Sequence, residues 1–281
     1  MRIATLGSGS RGNSVLVESG TTRVLVDAGF SGASLARRLV ALGRDPGEID
    51  AVVVTHEHGD HTSGMGVAAR RWGWPLFLTR GTARACDGLL RGDEDLQLFE
   101  PETRFRVGPL EFHAFATCHD AAEPVAITVS ETTSGVIAGI ATDLGRATAP
   151  VRAALAGCHL LVLEANHDEL RLRECPYPWS VKQRIGGSRG HLSNRLAGEL
   201  ARELLHPELG GVLLAHLSRE CNDPALALRE VRAALRGAGG RGFRGAIGVA
   251  GQEEPGPFVD VEAALRAARR PTAQLSLFGR D

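Results

Sequence analysis

The sequence predicts an α/β chain in which two packed sheets carry helices on their outer faces. Three observations point there. Short β-type runs crowd the first half, strands alternate with amphipathic helices in the second, and a cluster of metal-ligating side chains follows one buried strand directly. Strand patterns cover residues 2–6, 14–18 and 23–27, with turns at 7–12 and 19–22. Leu35, Leu39 and Leu42 then mark a helix. The strand at 51–55 delivers the histidine cluster, Ser63 is expected to cap a helix through Trp72, and Pro75 to end it before a strand at 76–79. A small helix and an acidic turn follow. Residues 105–107 and 110–115 then read as a hairpin through Gly108-Pro109, and 125–130 with 135–141 as another, turned at 132–134. Strands resume at 160–164 and 212–216, and helices occupy about 149–155, 191–204 and 225–235. In the helix placed from His191, Leu192, Leu196, Leu200 and Leu204 recur at four-residue spacing.

At 281 residues and 43% hydrophobic content the chain is long enough for one large domain or two small ones. Domain boundaries are set at 1–262 for the folded domain and 263–281 for a C-terminal segment ending in a short free tail. No apolar run approaches the roughly 18 residues of a membrane span. The opening Met1-Arg2-Ile3-Ala4-Thr5-Leu6-Gly7 is too soon broken by glycine for a secretory signal. The five cysteines are scattered and form no CxxC pair, which places the chain in a reducing cytoplasm. With a net charge of −1, attraction to nucleic acid must be local. Lys182 is the only lysine among 32 basic residues, a mark of GC-rich coding bias.

The chemistry begins at Val52-Val53-Val54-Thr55-His56-Glu57-His58-Gly59-Asp60-His61. Imidazoles with a carboxylate form the usual ligand set for zinc, manganese or iron, and packing does not account for so many of them. Alternate residues of an extended loop point the same way, so His56 and His58 can grip one ion. Gly59 lets the chain turn, and Asp60 and His61 then face a second. His119 follows the strand at 110–115 and is favoured over His113, which lies within the hydrophobic run. Asp143 ends a buried strand, where a carboxylate can bridge both ions, and His216 ends another. The ligand set is then His56, His58 and His119 on one ion, with Asp60, His61 and His216 on the other. Two divalent ions about 3.5–4 Å apart make a metal-activated hydroxide available at neutral pH and clamp attacking and leaving oxygens. They do not protonate a leaving alkoxide. Glu164, at a strand end, and His191, after Gly190, can do so as a carboxylate-oriented imidazole. Asp60, Glu164 and His191 are thus the catalytic candidates.

His56-x-His58-x-Asp60-His61, a later His, a strand-end Asp and a final His, in that order, resemble the metallo-β-lactamase superfamily over about residues 1–222. The resemblance implies an αββα sandwich with two metals at one edge, and it makes Asp27 the early structural aspartate. Gly7-Ser8-Gly9-Ser10-Arg11-Gly12-Asn13-Ser14, Leu163-Glu164-Ala165-Asn166-His167-Asp168, Gly190-His191-Leu192-Ser193-Asn194 and His216-Leu217-Ser218-Arg219-Glu220-Cys221-Asn222 narrow it to the YycJ/WalJ group. Cys221 departs from that pattern, where a second Asn is expected. The resemblance implies a 5′→3′ DNA exonuclease, proposed for mismatch repair, with two divalent ions, manganese or zinc. The alternatives are an RNase Z-like endoribonuclease, whose proton-donating pair Glu164 and His191 resemble, and a small-molecule thioester or phosphodiester metallohydrolase. The early Gly/Ser loop lacks the Gly-Lys-Ser/Thr of a phosphate-binding P-loop and reads as a tight turn.

DNA as partner needs local positive charge. The stretch before His191 carries Arg171, Arg173, Lys182, Arg184 and Arg189, with Tyr177, the only tyrosine, and Trp179 flanking Pro178. Arg184 and Arg189 suit phosphate contacts, Tyr177 and Trp179 base stacking. At the far end, Gln274-Leu275-Ser276-Leu277-Phe278 resembles the pentapeptide by which bacterial replication and repair proteins dock on the sliding clamp. Leu275, Leu277 and Phe278 are the apolar residues of that motif. Leu277 and Phe278 would fill an apolar pocket, while Gln274 satisfies polar groups at its rim. Titration of the host's clamp against the full chain and a version ending at Ala273 tests this. Only the full chain is expected to bind, and equal binding by both, or by neither, excludes the motif.

Overall fold

The computed structural model describes residues 1–236 and 243–269, so the candidate clamp residues Gln274, Leu275, Leu277 and Phe278 lie outside the described residues. In chain order the elements are β1 (Arg2–Gly7), β2 (Ser14–Ser19), β3 (Thr22–Val26), α1 (Gly32–Ala41), β4 (Ala51–Val53), α2 (Gly59–Thr62), α3 (Met65–Trp72), β5 (Leu76–Thr79), α4 (Arg80–Ala85) and β6 (Leu96–Phe99). Next come β7 (Arg104–Val107), β8 (Leu110–Ala116), β9 (Val125–Glu131), β10 (Ile137–Ala141), α5 (Ala149–Leu155) and β11 (Leu160–Glu164). The rest are α6 (Glu169–Glu174), α7 (Trp179–Ile185), α8 (Asn194–Glu203), β12 (Gly211–Ala215), α9 (Pro224–Arg236), β13 (Ala246–Val249), β14 (Val259–Asp260) and α10 (Val261–Ala268).

The strands form two sheets of seven, ordered β14-β1-β2-β3-β4-β5-β6 and β13-β12-β11-β10-β9-β8-β7. Alternation along each strand sorts its side chains between two layers. Val15, Val17, Val24, Val26, Leu110, Phe112, Leu160 and Val162 meet between the sheets. Leu16, Leu25 and Val52 face outward, beneath Leu35 and Leu39 of α1 and Met65 of α3. Leu161, Leu163, Val212 and Leu214 do the same beneath α5, α8 and α9. Central strands buried on both faces explain the unbroken apolar runs in the sequence. The four layers are the αββα sandwich that the sequence predicts.

Each sheet is half antiparallel and half parallel. Strands β3, β4, β5 and β6 run parallel in one sheet, as do β10, β11, β12 and β13 in the other. Parallel strands leave their carboxyl ends at one edge, where ligand sites of α/β sheets gather. The loops after β3, β4, β10 and β12 carry Asp27, His56, Asp143 and His216, and Glu164 is the last residue of β11.

Several local expectations differ. Ser63 caps no helix; it closes α2, its hydroxyl donating to the Gly59 carbonyl, and α3 starts after Gly64 without a side-chain cap. Gly73, not Pro75, ends α3, in a left-handed conformation that suits glycine. The chain turns after His58 through the short helix α2 rather than through freedom at Gly59. His191 lies outside α8, whose cap is Ser193, accepting from Leu196 N. Strands β6, β13 and β14 were not visible in the pattern, being short or broken by glycine. The boundary drawn at 262 falls inside α10, where Ala264 and Ala268 are buried, so the described domain extends to 269.

On β2, buried Glu18 accepts from Arg2 at 2.8 Å, from Arg23 at 3.2 Å and from Arg44. Burial opposes its charge, but Arg44, Arg2 and Arg23 outweigh that and hold the carboxyl below its ordinary range. Because its folded pKa is depressed, Glu18 stabilises the fold above the unfolded carboxyl value and loses that contribution as the pH falls through the folded value. Glu18→Gln is expected to cost about 1–3 kcal/mol at neutral pH, the scale of charged hydrogen bonds. Urea unfolding of parent and variant should converge as the pH drops below about 4.

Candidate metal centre

The edge described above brings seven potential ligands together. His56, His58 and His119 form one group whose donor atoms lie within 4.8 Å of one another; Asp60, His61 and His216 form a second, and His56, His61 and Asp143 link them. Each ligand is oriented from behind. The Thr55 hydroxyl contacts His56 Nδ1 at 3.0 Å, leaving His56 Nε2 buried without a hydrogen-bond partner. His119 Nδ1 donates to the Gly190 carbonyl at 3.0 Å, and its Nε2 faces His58 Nδ1 at 3.2 Å. His61 Nδ1 donates to Asp27 at 2.7 Å, and the same carboxylate accepts from the Thr55 amide at 2.8 Å. Carboxylates behind imidazoles fix tautomer and ring angle in metal sites.

The strand ends pay a conformational cost to aim these groups. Asp27, Asp143 and His216 take left-handed φ values of 66°, 57° and 54°, rare for residues with a Cβ. The chain also approaches itself closely. A Cβ on Gly29 would stand 1.7 Å from the Asp60 carbonyl oxygen, so the loop after β3 packs on the ligand loop only because residue 29 is glycine.

Charge defines what the cluster accepts. Burial opposes ionisation of Asp60 and Asp143, yet His216 and His61 hold both carboxyls well below their ordinary range. Burial likewise disfavours charge on His216, but Asp143, Asp60 and Glu164 push it up to about 10. His56 is held low by burial and by the neighbouring His61, which outweigh the pull of Asp143. The pocket therefore demands positive charge. Asp143 Oδ2 is buried without a hydrogen bond, although His61 Nε2 stands 3.1 Å away. Converging nitrogen and oxygen donors, with Asp143 Oδ2 and His56 Nε2 both buried and without a partner, fit divalent cations of the imidazole- and carboxylate-binding kind.

Glu164 is fully buried and works in two directions. Its Oε2 accepts from Leu144 N at 2.8 Å and Leu192 N at 3.0 Å. Its Oε1 meets His191 Nδ1 at 2.8 Å and His216 Nδ1 at 3.2 Å. Burial opposes its ionisation, but the charge on His191 and hydrogen bonds from both rings bring it down to about 2. Burial disfavours a proton on His191, but Glu164 and Asp143 outweigh it and raise its affinity above that of ordinary imidazole. His191 is 20% exposed at the mouth of the cluster. One side of its ring is therefore open to solvent.

The sequence reading passed over several participants. Asn13 donates to Asp60 Oδ2 at 3.1 Å and reaches His61 Nε2 at 3.1 Å, while Ser8 Oγ accepts from His216 N at 2.8 Å. The early Gly/Ser loop is thus more than a turn: it braces ligands 47 and 208 residues away. Asp120 Oδ1 lies 3.3 Å from His119 Nε2, and its Oδ2 accepts from Arg184 at 2.6 Å. Asn166 donates to the His216 carbonyl at 2.9 Å. Asn13 and Asn166 stand within quoted motifs, and Asp120 directly follows His119; that proximity was the available signal.

Of the substrate candidates, Arg184 and Trp179 are exposed on α7. Arg189 is spent on the His119 carbonyl, at 3.2 and 3.3 Å, and Tyr177 packs against Leu172, Cys175 and Cys221. His113 sits on β8, 3.8 Å from Glu102 and outside the cluster.

The profile of the beta-lactamase superfamily domain matches residues 22–212. Exodeoxyribonuclease WalJ of Streptococcus pneumoniae is 33% identical over 230 residues, covering 80% of this chain and 85% of WalJ. Exodeoxyribonuclease YycJ of Bacillus anthracis is 31% identical over 241 residues, covering 85% and 90%. Among solved structures, the metallo-β-lactamase-fold protein YhfI of Bacillus subtilis superposes with a TM-score of 0.68 at 19% identity, over 90% of this chain and 98% of YhfI. The short form of human tRNase Z gives 0.62 at 15% identity, over 93% and 99%. At such identities the structural likeness is one of fold.

Replacing Asp60 or Asp143 by Ala is expected to lower the divalent metal retained after dialysis, measured by elemental analysis, and to abolish hydrolysis. Far-ultraviolet circular dichroism should stay unchanged, because each carboxylate serves the cluster rather than a core. Undiminished activity in either variant excludes that role.

Proposed function

The chain belongs to the metallo-β-lactamase-fold hydrolases, in the group of the WalJ and YycJ exodeoxyribonucleases, and on that premise we propose that it is a metal-dependent exodeoxyribonuclease. The same proposal gives it 5′→3′ polarity on DNA, a place in DNA repair such as mismatch repair, and a cytoplasmic setting. Among the described residues no helix is long and apolar enough to cross a membrane.

The observation that carries the reading is the single Glu164 oxygen shared by His191 and His216. It ties a solvent-facing imidazole to the ligand cluster at a fixed geometry. A phosphodiester needs such a group, since its alkoxide is a poor leaving group; a thiolate does not. We assign His56, His58 and His119 to one divalent ion and Asp60, His61 and His216 to another, manganese or zinc, with Asp143 between them. When bound, such ions supply Lewis acidity for the attacking water and for the phosphate charge. The protein does the rest. Glu164 holds the proton-bearing His191 by Nδ1, so Nε2 is the nitrogen that passes a proton to the leaving oxygen. Asp27, Asn13 and Gly190 keep the cluster rigid. Arg184 stands at the rim, where a guanidinium meets a phosphate.

The test incubates purified protein, loaded with manganese or zinc, with 5′- and 3′-end-labelled duplex DNA, single-stranded DNA and RNA. Mononucleotide release from DNA 5′ ends is expected; a preference for RNA, or internal cleavage, overturns the assignment in favour of an RNase Z-like enzyme. His191→Ala should reduce turnover on DNA by roughly 10²–10⁴, the usual scale of general acid catalysis, with metal content retained. Its deficit should shrink on bis(p-nitrophenyl) phosphate, whose leaving group needs no proton. Loss of metal would instead make His191 a ligand.

A further inference from the structure

We propose that α7 is a docking platform for the single-stranded end of the DNA, with the Trp179 indole stacking on a base beyond the scissile phosphate. The proposal rests on the nuclease reading above and adds the residue that receives the strand.

Helix α7 has no buried residue. Trp179 is 69% exposed, the highest value among the exposed large hydrophobic residues described. The chain treats its other tryptophans differently: Trp72 and Trp74 stack at 5.0 Å, and Trp74 is 1% exposed. An indole left in water forgoes a large apolar burial, and its faces stay available to a ligand.

The helix is held firmly at its other parts. Ile185 and Tyr177 pack against Leu172, Cys175 and Cys221. Val181 N and Lys182 N donate to the Pro178 carbonyl at 3.0 and 3.1 Å, fixing the first turn. At the carboxyl end Arg184 grips Asp120, beside His119, and His191 N donates to the Ile185 carbonyl at 2.8 Å. A Cβ on Gly190 would stand 2.0 Å from the Arg184 carbonyl oxygen, so this connection from α7 to His191 tolerates no side chain there. The platform and the proton donor are one rigid piece.

Position and charge select the occupant. At 1.5 Å per residue, Trp179 stands about 7.5 Å along the axis from Arg184, roughly one nucleotide step from the rim arginine. At 100° per residue it points about 120° away from the inward Ile185, towards solvent. Within α7 no residue is acidic; Arg184 pairs with Asp120 through Nε, and Lys182, bonded only to the Arg173 carbonyl, keeps its full charge for a phosphate backbone. Aromatic faces beside basic groups accept any base, as an exonuclease requires. A neutral or basic protein surface would gain nothing from that charge.

The experiment uses the full chain and a short oligothymidylate with phosphorothioate linkages, which resist hydrolysis. Binding is read by anisotropy of a dye on the oligonucleotide and by quenching of tryptophan emission. The parent should show quenching. Trp179→Ala and Trp179→Leu should each weaken binding by about tenfold or more, the scale of losing one aromatic–base stack. Trp179→Phe should bind within about threefold of the parent, because it keeps a π face. Parental affinity in Trp179→Leu overturns the proposal, because no aromatic face is then needed. Unchanged affinity in all three overturns it as well. Cleavage of unmodified DNA by the parent is measured alongside. If the parent cleaves DNA while all variants share its KM, the platform fails and the nuclease reading stands. A parent that neither binds nor cleaves DNA removes both.

Discussion

One buried carboxylate oxygen couples the two halves of this site. Glu164 Oε1 faces His191 on one side and His216 on the other, while Oε2 is saturated by two backbone amides. A fully buried carboxylate stays ionised only if such partners outweigh its desolvation, and here they do. Any movement of the end of β11 therefore shifts a ligand of the cluster and the imidazole at its mouth together. The amides come from Leu144, next to Asp143, and Leu192, next to His191, so three chemically active side chains, His191, His216 and Asp143, are registered on one group.

The fold makes that concentration of charge affordable. Asp27, Asp60, Asp143 and Glu164 converge where the parallel halves of both sheets end, at the edge of the hydrophobic layers that hold the sandwich together. Left-handed backbone at Asp27, Asp143 and His216 turns each side chain sharply out of its strand. Strain of this kind persists only where surrounding structure over-determines it. The ladders of β3, β10 and β12 provide that constraint, together with Gly29 packed on the Asp60 carbonyl.

Around the cluster, polar side chains from distant segments act as braces. Asn13, Ser8 and Asn166 each hold the backbone or side chain of a ligand residue, and Gly190 holds His119 through its carbonyl. Rigid support of this sort keeps donor atoms in position without help from their own loops. The excursion from α6 to His191 is fastened through Asp120 and a glycine contact, which leaves its outer face open to solvent.

Much of this was legible in one dimension. Apolar strand runs and the leucine spacing of α8 announced sheets and helices, because strands buried on both faces carry unbroken apolar runs and a helix buried on one face carries a periodic stripe. His56, His58, Asp60 and His61 were readable as candidate ligands because all four follow one strand, and Asp143, Glu164 and His216 as candidate site residues because each ends an apolar strand. Local signals failed where the deciding contact was remote. Ser63 looked like a cap but closes α2, and the Gly/Ser loop looked like a turn but reaches across to Asp60 and His216. Arg189 and Tyr177 looked free for substrate, and packing against His119 and Cys221 claimed them instead. Sequence alone determined which side chains this protein has for its chemistry and the order in which strands deliver them. Tertiary structure decided which carboxylate serves two imidazoles and which aromatic stays in water, because those choices depend on distances between segments that no local pattern encodes.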